Sequence, residues 1–284
     1  MRVKTLAFLF VLTSAALAID QQVSIAPETV VVPSGKLRLK AFLWKPSGPG
    51  PFPAVLFCHG SGGADAAHTA ELSITEAAEK LAPLFLKHCY AFLYLFRRGQ
   101  GLSADEGPFL QDILKREEAT KGKEARQHLQ FVLATTDHLD DVTAALSFLK
   151  TVPEVDAKRI AIAGHSFGGQ LTLLVAERDH TIRAAVAFAV AASSWERSSE
   201  LRDRLLVAAD KATAPIMLIQ AGNDYSIAPS YALADELERL HKPHLLKIYP
   251  PVGKTSDDGH NFLYLAIPKW ESDVFGFLDE HVKR

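Results

Sequence analysis

Arg159-Ile160-Ala161-Ile162-Ala163-Gly164-His165-Ser166-Phe167-Gly168-Gly169 is the stretch that decides how this chain is read. Arg159–Ala163 forms a short apolar run suited to a buried strand, and Phe167–Arg178 continues at helical spacing. Between them stands Gly-x-Ser-x-Gly. A strand-to-helix turn this tight strains the backbone of its middle residue and needs small neighbours to avoid a clash. It lifts Ser166 out of the sheet at the positive end of a helix, where a serine can serve as a nucleophile. The competing reading is a plain glycine-rich turn. The strand before it and the helix after it favour the nucleophile.

Outward from this turn the same rhythm repeats. Toward the amino terminus lie strand-like runs at Thr29–Pro33 and Leu37–Lys45, joined by Ser34-Gly35-Lys36 as a hairpin, then Ala54–Cys58 and Tyr90–Phe96. Glu71–His88 and Thr136–Lys150 have helical spacing. Toward the carboxyl terminus, strands at Ala184–Ala189, Pro215–Gln220 and His244–Tyr249 alternate with helices at Leu201–Asp210, Pro229–Leu240 and Lys269–His281. Short apolar strands alternating with amphipathic helices predict one α/β domain with a mostly parallel sheet of about eight strands and helices on both faces. Residues 103–135 break the rhythm. They are polar and carry helical segments at Ile113–Ala119 and Lys123–Leu133. They read as a solvated surface insertion or as a lid over a site.

A serine nucleophile needs a base, and the base needs an orienting carboxylate, in the chain order Ser, acid, His for this architecture. Asp224 follows the strand Pro215–Gln220 and stands at its carboxyl end, where functional loops gather. Glu196 is the weaker alternative. His260, in Asp258-Gly259-His260-Asn261-Phe262, is the histidine of the loop after the last strand, while Asp257 and Asp258 read as solvated turn residues. Acyl transfer also needs backbone N–H groups aimed at a developing oxyanion. Phe167, after the nucleophile, supplies one. His59-Gly60-Ser61-Gly62-Gly63, directly after Ala54–Cys58, supplies the other, at Ser61. His59 reads as a brace of this loop more than as a reactant. Arg97 and Arg98 read as ion-pairing residues, with recognition of an anionic substrate group as the sharper option. Phe167, Trp195 and Phe262 flank the site segments and either line an apolar pocket or pack in the core.

With these residues in view, the chain resembles the α/β-hydrolase superfamily, and within it the dienelactone-hydrolase-like and prolyl-oligopeptidase-like serine esterases. The resemblance rests on Phe57-Cys58-His59-Gly60-Ser61-Gly62-Gly63, Arg97-Arg98-Gly99-Gln100-Gly101-Leu102-Ser103, Gly164–Gly169, Asp224 and His260. It implies the triad Ser166, Asp224 and His260, an oxyanion site at Ser61 and Phe167, substrate contacts near His59 and Gly60, and a cofactor-free mechanism. Two departures narrow it. Dienelactone hydrolases proper carry a cysteine at the elbow, where this chain has Ser166. The oligopeptidases carry a large propeller, for which the stretch before Ala54 is too short. The expected activity is hydrolysis of a carboxylic ester, on a small molecule or decorating a polymer. A peptidase, amidase or thioesterase on the same machinery is the alternative, and a non-catalytic binding protein a minor one.

Composition agrees. The chain has 284 residues, 48% hydrophobic and 23% charged, which excludes wholesale disorder. With 31 basic and 33 acidic residues, net −2, it has no global electrostatic reason to bind nucleic acid. No apolar run of membrane-spanning length follows the first twenty residues, so no integral membrane protein is expected. Arg2 and Lys4, the run Leu6–Leu12 and the small-x-small Ala16-Leu17-Ala18 predict a signal peptide over residues 1–18, with a secreted or periplasmic product; an uncleaved anchor is the rival. Cys58 and Cys89 fall at opposite ends of what should be parallel neighbours, too far apart for a disulfide, and are expected as free, buried thiols. No Cys/His cluster has zinc spacing, so no metal is expected. Nothing in the sequence sets an oligomeric state.

Overall fold

A computed structural model describes residues 26–62 and 73–284. The expected signal peptide, Gly63 and the start of the helix expected from Glu71 lie outside the described residues. The strands are β1 (Glu28–Ser34), β2 (Leu37–Trp44), β3 (Phe52–Cys58), β4 (Ala91–Phe96), β5 (Val155–His165), β6 (Ala184–Phe188), β7 (Ile216–Ala221) and β8 (His244–Tyr249). They form one eight-stranded sheet in the order β1-β2-β4-β3-β5-β6-β7-β8. β1, β2 and β4 pair antiparallel, and β4, β3, β5, β6, β7 and β8 are mutually parallel.

The central strands are apolar on both faces because both faces are covered. Leu56, Leu93, Ile162 and Leu218 point to one side. There they meet α4 (Asp137–Leu149), α5 (Phe167–Arg178), α6 (Ser199–Lys211) and α7 (Ala228–Arg239). Val55, Phe57, Phe92, Ala163 and Ile219 point to the other, against α1 (Ile74–Lys87) and α10 (Ile267–Val282). The insertion is a helical hairpin, α2 (Leu110–Lys121) and α3 (Lys123–Thr135), longer at both helices than the sequence spacing suggests. Leu110, Leu114 and Ala134 are fully buried and anchor it to the first core.

Two expectations need correction. Cys89 is exposed, because β4 begins only at Ala91 and Cys89 sits in the preceding turn with φ 57°. Cys58 is buried; it lies opposite Leu95 across the β3–β4 pairing, so the two thiols are at opposite strand ends and both are free. His260 closes a short helix, α8 (Ser256–His260), followed by α9 (Phe262–Leu265), rather than standing in an open loop. A capping box between Thr255 and Asp258 starts α8, so the solvated Asp258 also caps a helix.

Candidate active site

Parallel strands deliver their carboxyl ends to one edge, and the loops after β3, β4, β5, β6, β7 and β8 carry the residues the sequence nominated for chemistry. At the centre, Ser166 stands between β5 and α5 with φ 56° and ψ −114°, a strained conformation for a residue with a side chain. Its N–H is held by the Phe188 carbonyl of β6 at 2.8 Å. The flanking glycines are steric necessities. A Cβ on Gly164 would stand 2.4 Å from the Gly168 carbonyl oxygen, and one on Gly168 would stand 1.9 Å from that of Cys58.

His260 reaches Ser166 from the other side. Its Nε2 lies 2.9 Å from Ser166 Oγ, and its Nδ1 lies 2.8 Å from Asp224 Oδ1. A carboxylate only accepts, so Nδ1 carries the proton and Nε2 is left to accept from the serine. The side chain of Asp224 is fully buried. It also accepts from Gln220 Nε2 at 2.8 Å and from the Tyr225 N–H at 2.6 Å. Gln220 is itself fixed by Ser230, whose hydroxyl donates to its Oε1 at 2.7 Å. Asn223 ties the two loops together, bonding Val252 and Thr255 carbonyls at 2.8 Å each and accepting from Val252 N–H. Gly259 permits the close approach: a Cβ there would meet Asn223 and Asp224 backbone atoms at 2.5–2.7 Å. Glu196, the alternative acid, is exposed at the start of the short turn Trp195–Arg197.

On the β3 side, Gly60 lies against the serine; a Cβ built on it would be 3.7 Å from Ser166 Cβ. Phe167 is the first residue of α5, so its N–H is among the helix-start donors that have no intrahelical acceptor. An Oγ poised on an acceptor nitrogen, beside a helix start and a neighbouring backbone loop, is suited to attack a carbonyl carbon and shelter the resulting oxyanion.

The other nominated residues divide. Arg98 does ion-pair, to Asp141 at 2.7 Å and Asp137 at 3.0 Å. Arg97 has no ion pair among the described residues: it is fully buried, and its guanidinium bonds the His59 and Gly60 carbonyls and Gln100. It therefore cannot meet an anionic substrate. His59 is likewise buried and braces its own loop through Nδ1 to Gly60 O, 2.7 Å. Trp195 packs in the first core and Phe262 in the second, against Phe188 and Tyr249, so both serve packing rather than an open pocket. Phe167 too is buried, beneath Arg97 and edge-on to His138.

The sequence reading missed several supports: Gln100, Gln220, Asn223 and His165. His165 donates from Nε2 to the His260 carbonyl at 2.8 Å and so pins His260 to the end of β5. It missed Tyr225 as well, whose ring lies 4.8 Å from that of His260 and whose hydroxyl donates to Asp257. Its place directly after Asp224 was the available signal.

Burial holds His59, His138 and His165 neutral, with the nearby Arg97 charge adding to the effect on the first two; His165 is pulled down to about 3. Below the ordinary value of 6.5 the unfolded chain binds protons at these imidazoles that the folded chain refuses, so stability falls as pH falls. Each contributes a slope of about 1.4 kcal/mol per pH unit until its folded value is reached. Urea unfolding followed from pH 7.5 to 4.5 should show a midpoint level above 6.5 and dropping steeply below it. A midpoint that stays level to pH 5 would mean that these rings accept charge in the folded state.

Comparison with known proteins gives the arrangement a lineage. The model of the dienelactone hydrolase family matches residues 103–263, which include Ser166, Asp224 and His260. The quorum-quenching protein AidA of Acinetobacter baumannii is 26% identical over 162 residues, 57% of this chain and 43% of its own. The acylaminoacyl peptidase of Pyrococcus horikoshii superposes with a TM-score of 0.65 at 19% identity, over 91% of this chain and 42% of its own. Est1E of Butyrivibrio proteoclasticus, solved with ferulic acid bound, superposes with a TM-score of 0.61 at 20% identity, over 90% of this chain and all of its own. The chain thus spans less than half the length of the first two. The structural likenesses, all at or below 20% identity, carry the α/β-hydrolase fold. The family match spans more than half the sequence, and by it this chain belongs to the dienelactone hydrolase family.

Proposed function

We propose that the chain is an exported serine hydrolase of carboxylic esters. The hydrogen-bonded series Ser166 Oγ, His260 Nε2, His260 Nδ1, Asp224 Oδ1, at 2.9 Å and 2.8 Å, carries this reading. Ser166 Oγ attacks the acyl carbon while His260 Nε2 takes its proton. The carbonyl oxygen becomes an oxyanion held by the N–H groups of Ser61 and Phe167. His260 then protonates the departing alkoxide, leaving an acyl-enzyme on Ser166. Water enters, gives a proton to His260 and attacks the acyl carbon. Collapse releases the acid and returns the proton to Ser166. Asp224 keeps the imidazole in the tautomer that accepts from serine and stabilises its charged form. No step calls for a cofactor. The pattern from Arg2 to Ala18 supports export.

The test is a panel of p-nitrophenyl esters from acetate to decanoate, run beside the matching thioester and anilide. The expected result is ester turnover exceeding anilide turnover, with the chain-length optimum reporting the pocket. A fluorophosphonate should label one site per chain, at Ser166. Anilide turnover above ester turnover would move the assignment to an amidase or peptidase. Folded protein that neither labels nor turns over any member would remove the enzyme reading.

A further inference from the structure

Arg97 has a puzzling address for a cation. It follows β4, is fully buried, and among the described residues none of its hydrogen bonds goes to a carboxylate. Nη1 donates to His59 O at 2.7 Å, Nη2 to Gly60 O at 2.6 Å and to Gln100 Oε1 at 3.2 Å. Asp141, which its field does feel, is already bonded by Arg98 and by the Ser34 hydroxyl. The Phe167 ring lies 5.3 Å from the guanidinium carbon. Burial pulls its pKa down to about 10, so it stays charged at neutral pH. Burying a charge with only neutral partners is costly and calls for a reason.

The second half of the pattern is Gln100, itself buried, which donates from Nε2 to Ser61 O at 2.6 Å. The amide orientation is fixed by its partners: an arginine only donates, so it faces Oε1, and a carbonyl only accepts, so it faces Nε2. Three successive carbonyls, of His59, Gly60 and Ser61, are thus held by two side chains. In a trans peptide unit the carbonyl and the following N–H point in opposite directions. Turning the Gly60 carbonyl toward Arg97 therefore turns the Ser61 N–H away from it, and turning the Ser61 carbonyl toward Gln100 does the same for the Gly62 N–H. Consecutive N–H groups facing one way make a concave anion site, and Gly60 packs against Ser166.

We propose that Arg97 and Gln100 are positioning residues for oxyanion stabilisation: they aim the Ser61 N–H by gripping the carbonyls behind it, and the Arg97 charge polarises those peptides toward the transition state. This rests on the serine-hydrolase reading above. The cation sits on the oxygen side of each peptide, draws electron density from the N–H side and strengthens the donor. It acts in a buried setting, where solvent screening is weak. The negative charge forms only during reaction, so the effect falls on kcat rather than on KM.

The experiment compares Arg97→Gln, Arg97→Lys and Gln100→Ala on p-nitrophenyl acetate, with folding monitored by Tm. A trifluoromethyl ketone serves as a second readout, because Ser166 adds to its carbonyl carbon and leaves an oxyanion. Arg97→Gln should lose about 10²-fold in kcat, the scale of one oxyanion donor, with KM within about threefold. Its ketone Ki should rise in proportion to the loss in kcat/KM. Arg97→Lys, which keeps the charge, should recover part of both. Gln100→Ala should show a smaller loss of the same kind. If Arg97→Gln does not fold, Gln100→Ala alone decides. Folded variants with wild-type kcat and ketone Ki would overturn the proposal, as would losses confined to KM. Should the wild-type protein itself lack esterase activity and fluorophosphonate labelling, the hydrolase reading falls instead, and that outcome is separable from a variant effect.

Discussion

Replacing Ser166 by alanine should remove turnover: kcat for p-nitrophenyl acetate is expected to fall by about 10⁵-fold or more, the scale on which serine hydrolases lose their nucleophile. The fold stays intact. The serine hydroxyl bonds His260 Nε2 at its catalytic end, the Ser166 N–H keeps its bond to Phe188 O at 2.8 Å, and alanine places the same Cβ at the same φ of 56°. An unchanged Tm beside a lost kcat separates chemistry from folding. Asp224→Asn should lose about 10⁴-fold for a different reason. Gln220 Nε2 donates to Oδ2, so the asparagine oxygen takes that place and its amide donor stands where Oδ1 accepted from His260 Nδ1. The ring proton then moves to Nε2, which can no longer accept from Ser166. Glu196→Gln, at the exposed alternative acid, should leave kcat at the wild-type value. Ser166→Ala retaining more than about a hundredth of kcat would place the nucleophile elsewhere.

These residues were legible because their positions follow from chain order and strand ends, which local sequence encodes. A short apolar run, a glycine-flanked serine and a helical period specify the turn at Ser166 without knowledge of distant contacts. Asp224 and His260 follow because functional loops collect at one edge of a parallel sheet. The supports were not legible, since each depends on which remote groups share a buried volume. Arg97 reads as an ion-pairing residue in sequence; only the folded chain shows its guanidinium turned onto the His59 and Gly60 carbonyls. Trp195 and Phe262 sit beside site segments in sequence, yet their side chains enter the two cores. Cys89 is misplaced by a boundary: the strand starts one residue later, at Ala91 rather than Tyr90, and leaves the thiol in an exposed turn. His260 was expected in a loop because α8 is five residues long and shows too little helical period to detect, although its Thr255–Asp258 capping box is a local signal.

Gly168→Ala should carry the largest cost in stability. The added methyl would stand 1.9 Å from the Cys58 carbonyl oxygen and 2.5 Å from that of His59. Carbon and carbonyl oxygen approach no closer than about 3.3 Å in ordinary packing, so α5 must retreat from the end of β3 by on the order of an ångström. The obstructing atoms are backbone, so no rotamer change relieves the clash. β3 and β5 are hydrogen-bonded neighbours in the middle of the sheet, and a shift there opens both cores. The expected loss is about 3 kcal/mol or more, at the upper end for overpacking. Activity should fall further than stability in whatever protein remains folded, because β3 leads into Gly60 and Ser61 while α5 starts at Phe167. Helix propensity alone predicts the opposite sign, a gain of about 0.5–1 kcal/mol on replacing glycine by alanine inside a helix. Gly276→Ala supplies that control: Gly276 is exposed in α10, and a Cβ there meets nothing within 4 Å. The same added methyl should therefore raise Tm at position 276 and collapse it at position 168. Urea or thermal unfolding of the pair isolates the β3 wall from propensity, and stabilisation by both substitutions would mean that α5 does not lie against Cys58 and His59.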